Sequence, residues 1–302
     1  MVETTFAQAQ ERALKRYGVT AQQREIEVAG RKAAMLVVGD GPPVVMVGGA
    51  GTSAAMFAPL MARIEGRTIF AVDWPGHGLS EGDPTFAADL RRGSVEFLTG
   101  VLDGLGLEQA SVIASSFGSW ATSRLALEHP DRVAALVHLG CPAVVLDTSA
   151  PLPMRLFSVR PLARLMMKAQ PPSPRQVRQL AEMVGEHPLD PAIADVLLAT
   201  ERQPDFEASF TAIIRGLVRL RGSRPESHLG TSDLERVGQP TLLVFGSGDP
   251  FGGPSVGERM AEAMPDARLH VVDGGHAPWL RSSGRVGELT NEFLAEVASG
   301  TR

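Results

Sequence analysis

The chain has 302 residues, 44% hydrophobic and 21% charged, enough to bury one large core or two smaller ones. Its 29 Lys plus Arg against 34 Asp plus Glu leave a formal charge of -5, which gives no electrostatic footprint for nucleic acid. One cysteine, Cys141, excludes an intrachain disulfide and fits a reducing compartment.

In chain order, the opening MVETTFAQAQERALKRYGVT lacks the apolar core of a secretory signal and reads as a short polar helix. No later apolar run is long enough to span a bilayer, so a cytoplasmic protein without stable membrane insertion is expected. EIEVAG and KAAMLVVGDGPP read as an antiparallel pair ending at a Gly-Asp-Gly turn. VVMVGG is a short apolar run followed by glycines, as a buried strand requires. RTIFAVDWPG, SVIASS, VAALVHLG, TLLVFGSGD and ARLHVVDGG are similar runs. Helical patterns fall between them, over about 54–64, 85–105, 117–128, 256–263 and 285–297. This alternation predicts an α/β fold with a mostly parallel sheet covered on both faces.

The alternation stops between residues 144 and 237, where helical patterns and prolines continue without a convincing strand. A structureless loop of that length is implausible, so we expect a core of residues 1–143 and 238–302 with an inserted helical cap over 144–237. Within the cap, PLPMRLFSVRPLARLMMKAQ and the turn after it carry Arg155, Arg160, Arg164, Lys168, Arg175 and Arg178 and no acid. A solvated basic face is the expectation there, and attraction of an anionic group the alternative. Phe157, Leu165, Met166 and Met167 are expected to pack over the sheet edge and shape a pocket.

Two adjacent serines, Ser115 and Ser116, lie where SVIASS gives way to a helix. Either one alone reads as a helix N-cap. The string Ala114-Ser115-Ser116-Phe117-Gly118, between strand and helix, resembles the G-x-S-x-G nucleophile elbow of the α/β-hydrolase fold family. Ser116 takes the middle place, and Ala114 replaces the first glycine. A serine needs a base, and the base needs a carboxylate to orient it. His276 in VVDGGHAPWL and Asp249 in TLLVFGSGDP stand after the last two apolar runs, where the family places these groups, in the order Ser, Asp, His. The loop GGAGTSAAMF resembles the family's H-G-x-G segment, with Gly48 in place of the histidine. DWPGHGLS, Asp73 to Ser80, resembles its D-x-x-G-x-G-x-S string, in which His77 is structural.

The resemblance covers about residues 26–144 and 239–297. It implies an eight-stranded sheet, the triad Ser116, Asp249 and His276, and an oxyanion hole from the amides of Ala50 and Phe117. It also implies a serine hydrolase of the carboxylesterase type, cleaving an ester, lactone or thioester of a small to medium apolar substrate. A serine at the elbow argues against the family's haloalkane dehalogenases and epoxide hydrolases, which use aspartate. Carbon–carbon cleavage of a β-diketone-type acid is the alternative, followed by a lyase or cyclase and by a non-catalytic ligand-binding member. Gly49, Ser115, Cys141, Phe157 and Trp279 are candidate pocket residues. A lone cysteine is more often a small buried residue. The histidines lack ligand spacing, so neither metal nor cofactor is expected. The expected partner is a small molecule, and nothing in the sequence sets the oligomeric state.

Overall fold

In the computed structural model, which describes residues 4–300, the apolar runs pair into one eight-stranded sheet. Helix α1 (Phe6–Arg16) starts at a capping box between Thr5 and Gln8. Strands β1 (Ala21–Val28) and β2 (Arg31–Val38) form an antiparallel hairpin closed at Ala29-Gly30, both at positive φ, as a tight hairpin turn requires. Strand β3 (Pro43–Val47) leads through a 3-10 turn (Ala54–Phe57) and α2 (Ala58–Met61) to β4 (Thr68–Val72). Helix α3 (Leu90–Leu105) begins at Leu90 rather than near residue 85, because the Asp89 side chain caps the Arg92 amide. Then come β5 (Ala110–Ser115), α4 (Phe117–Glu128) and β6 (Val133–Leu139).

A run of helices follows: α5 (Leu152–Leu156), α6 (Arg160–Ala169), α7 (Pro174–Met183), α8 (Pro191–Glu201) and α9 (Phe206–Leu217). A proline sits in the first turn of α5 to α8, where its missing N–H costs nothing. A two-stranded ribbon, β7 (Val218–Arg219) with β8 (Gly222–Ser223), also lies in this stretch, in which the sequence shows no strand. The chain closes with α10 (Thr231–Leu234), β9 (Thr241–Gly246), α11 (Pro254–Ala263), β10 (Ala267–Val272) and α12 (Ser283–Ser299).

The sheet order is β1-β2-β4-β3-β5-β6-β9-β10. β2 pairs antiparallel with both its neighbours, and the strands from β4 to β10 pair in parallel. After β4 the chain crosses to the other side of β3, so β3 and β5 flank the point where strand order reverses. Ligand sites in open α/β sheets form at that point, outside the carboxyl ends of the strands. One face buries Trp74, Phe97, Phe117 and Trp120 with residues of α3 and α4. The other buries Phe57, Trp279 and Phe293 with residues of α1 and α12. Buried residues of the inserted segment divide between them: Val177, Ile193 and Val196 join the second core, and Ile213, Ile214 and Leu217 the first. Leu165 does not join the packing expected of it, since it is 62% exposed on α6.

Candidate active site

Ser116 stands between β5 and α4 with φ 52 and ψ -112, a backbone state that L-residues rarely hold and that stores roughly 1–3 kcal/mol of strain. Its side chain makes no capping bond, so the N-cap reading fails. The bend survives Ala114 because the close approaches fall elsewhere. A Cβ on Gly118 would meet the carbonyl oxygens of Val47 and Gly48 at 2.7 Å, so glycine there lets α4 press against the end of β3. A Cβ on Gly49 would sit 3.0 Å from the Ser116 Cβ and 3.6 Å from its Oγ. Gly49 therefore brings the loop after β3 directly against the hydroxyl. Among the described residues, the amides of Ala50 and Phe117 donate to no protein acceptor in the backbone pattern, which leaves both N–H groups open.

That loop is fixed by the DWPGHGLS segment. Asp73 accepts from the Ala54 amide at 2.7 Å and the Leu79 amide at 3.1 Å, and Trp74 Nε1–H donates to Gly48 O at 2.7 Å. His77 accepts on Nε2 from the Gly51 amide at 3.2 Å, and its Nδ1 bonds Pro75 O at 3.1 Å. Complete burial lowers the His77 pKa to about 4, so the ring is a neutral strut, as the sequence reading holds. Burial outweighs the two amide bonds at Asp73 and pushes its carboxyl up to about 7.

Asp249 follows β9 and His276 follows β10. The imidazole Nδ1 lies 2.9 and 3.0 Å from the two Asp249 carboxylate oxygens. Asp249 is itself held by the amides of Cys141 (2.8 Å) and Phe251 (2.9 Å). With Nδ1–H committed to the carboxylate, the lone pair is on Nε2. Nε2 is buried and has no hydrogen-bond partner among the described residues. The Ser116–His276 bond of a closed triad is therefore not formed here, as is common before substrate binds. The Phe251 ring stacks on the imidazole at 4.1 Å between centroids.

All three consecutive amides around His276 are bound by the inserted segment. Glu186 Oε1 accepts from Gly275 at 2.7 Å and Ala277 at 3.0 Å, and Val184 O accepts from His276 at 2.8 Å. Glu186 Oε2 is buried without a hydrogen-bond partner among the described residues, and Arg281 Nε approaches it only to 3.9 Å. Burial raises the Glu186 pKa to about 7. Nothing near Glu186 in the sequence signals this contact, and Phe251 was equally invisible.

Above Ser116 lies a cavity of about 500 Å³. Gly49, Ala50, Ser115, Ser116, Phe117, Cys141, Phe157, His276 and Trp279 all line it, whereas Asp249 stands behind His276 and Leu165 lies outside it. Trp279 donates from Nε1 to Met56 O at 3.0 Å and stacks on Phe57, so it forms a fixed wall. The Cys141 thiol pKa is pushed up, first by burial and then by Asp249, so it stays a neutral, inert lining group. Met154, Met166, Met167, Phe206 and Phe210 form the apolar roof. None of Arg155, Arg160, Arg164, Lys168, Arg175 and Arg178 lines the cavity, and its one charged lining residue is Glu201. No group of described residues could hold a metal ion, and no described helix is long and apolar enough to cross a membrane.

The chain is 26% identical over 289 residues to a 2-hydroxymuconate semialdehyde hydrolase of Pseudomonas putida, covering 91% of this chain and 94% of that protein. In fold it is similar to a carboxylesterase of Bacillus subtilis, with TM-score 0.77, 21% identity and 98% and 97% of the two chains covered. It is also similar to a meta-cleavage product hydrolase of Pseudomonas fluorescens, with TM-score 0.74, 22% identity and 90% and 97% covered. Residues 42–280 match the family model of the alpha/beta hydrolase fold, and the chain belongs to that family.

Proposed function

We propose that this chain is a serine-dependent hydrolase whose leading reaction is cleavage of a carbon–carbon bond beside a carbonyl. The observation that carries the nucleophile is the strained Ser116, set against Gly49 and two open amides, under a cavity that also holds a His276 bonded to Asp249. The reaction requires the Ser116 Oγ to reach the free lone pair of Nε2, which lines the same cavity. His276 takes the proton, Oγ attacks the carbonyl carbon, and the amides of Ala50 and Phe117 hold the oxyanion, each worth about 3 kcal/mol in the barrier. Asp249 stabilises the imidazolium. Collapse breaks the bond to the leaving group, which leaves with the electron pair and is protonated by His276. Water, deprotonated by His276, then releases the acid and restores Ser116.

The bond broken is set by the substrate. The Pseudomonas putida relative is named for a semialdehyde hydrolase, and this likeness over nine-tenths of the chain moves carbon–carbon cleavage ahead of ester cleavage. Ester hydrolysis stays as the second reading, favoured by a lining without Lys or Arg, since a muconate carries a carboxylate. Residues 144–237 act as the lid over this site, supported by the aromatic and methionine side chains they place in its roof. The test is a fluorophosphonate probe read by intact mass, followed by turnover of a keto-dienoate and a carboxylic ester series. Stoichiometric labelling that disappears in Ser116→Ala is expected. Labelling that is absent from the wild type, or that persists in the variant, overturns the reading.

A further inference from the structure

The largely apolar cavity has, besides its candidate catalytic groups, a polar corner made by α7 and α8. Glu201, the last residue of α8, lines it beside Gln176, from the first turn of α7. Gln176 Nε2 donates to Glu201 Oε1 at 3.1 Å. Gln176 Oε1 is buried with no hydrogen-bond partner among the described residues. The corner is built rather than incidental: Thr200, next to Glu201, bonds Ser53 at 3.2 Å and so ties this end of α8 to the loop after β3. Gln170 and Gln179 also line the cavity, and no Lys or Arg does. The corner thus offers the unpaired Gln176 Oε1 and the Glu201 carboxyl as acceptors and holds no cation.

A buried, unpaired acceptor is costly unless a ligand supplies a donor. A carboxylate brought into the same low-dielectric space would face an ionisable acid with no neutralising charge, and one of the two would have to take up a proton. We propose that Glu201 and Gln176 determine specificity and select substrates that end in a hydrogen-bond donor, a hydroxyl or primary amine, over those that end in a carboxylate. This rests on the cavity being the substrate site under the proposed function. It narrows that reading to uncharged or cationic substrates with an apolar body, unlike a muconate.

The test uses matched 4-nitrophenyl esters of butanoic, hexanoic and octanoic acid, each with a methyl, hydroxyl, amino or carboxylate end. Binding is measured on Ser116→Ala, so the preference is read without turnover, and kcat/KM is measured on the wild type. A preference for hydroxyl or amine over carboxylate of at least about tenfold is expected at some chain length. Glu201→Gln keeps the link to Gln176 but should reduce the amine preference to less than about threefold, and Glu201→Arg should reverse it toward carboxylate. A carboxylate end that binds as well as the hydroxyl end, or a preference unmoved in both Glu201 variants, overturns the proposal. Should the binding preference hold while the wild type turns over neither esters nor ketones, the hydrolase reading fails and this one stands.

Discussion

Glu186 is the most informative residue to perturb, because it links the inserted helices to the loop that carries His276. Glu186→Ala removes the acceptor for the Gly275 and Ala277 amides, 2.7 and 3.0 Å away. An amide bond to a neutral acceptor contributes about 1 kcal/mol, and one to a charged acceptor roughly 1.5–3 kcal/mol. With the Glu186 pKa near 7 the carboxyl is part neutral at that pH, so the two bonds together are worth roughly 2–4 kcal/mol. For a chain of this size that is a fall in Tm of about 3–6 °C. Catalysis should suffer more, since a shift of His276 by about 1 Å costs on the order of 100-fold in rate. Glu186→Gln keeps one carbonyl oxygen for both amides and should restore most of the stability and the rate. The assay is the rate of fluorophosphonate labelling against pH for wild type and both variants, with calorimetry on the same samples. If Glu186→Ala melts and labels like the wild type, the clamp has no role. If Gln behaves like Ala, the charge and not the hydrogen-bond geometry is what matters.

Asp249→Asn should leave the fold intact and lower kcat by roughly 10³–10⁴, because the imidazole loses its tautomer partner; a loss below tenfold in a kcat measurement contradicts the assigned role. Gly49→Ala places a Cβ 3.0 Å from that of Ser116, so the loop must back away and the Ala50 amide with it; steady-state kinetics should show kcat down by about 10²–10³ with Tm little changed. Burial raises the pKa values of Asp73, Glu186 and Glu201 to about 7, so each binds its proton more tightly folded than unfolded. Their contribution to stability is full below the ordinary carboxylate pKa and is lost as pH rises toward 7. Denaturant midpoints at about pH 5 and about pH 8 should differ accordingly, and the difference should shrink in Glu201→Gln; an unchanged difference would show that Glu201 ionises freely in the folded chain.

The order of strands and helices was legible in the sequence because apolar runs bounded by glycines and amphipathic periods are local signals. So were the residues of the proposed triad, since Ser116, Asp249 and His276 each sit at the end of such a run, and a parallel sheet brings those ends to one rim. The inserted segment was legible only as helical. Four of its helices are proline-started, and a hydrophobic period gives a face without saying what that face meets. Hence Met166 and Met167 reach the cavity while Leu165, beside them, points to solvent. The Glu186 clamp, the Phe251 stack on His276 and the Glu201 corner are contacts between segments far apart in the chain. No local pattern encodes them. Only the packing of the insertion against both cores decides that one of its carboxyls grips the histidine loop and another faces the cavity above Ser116.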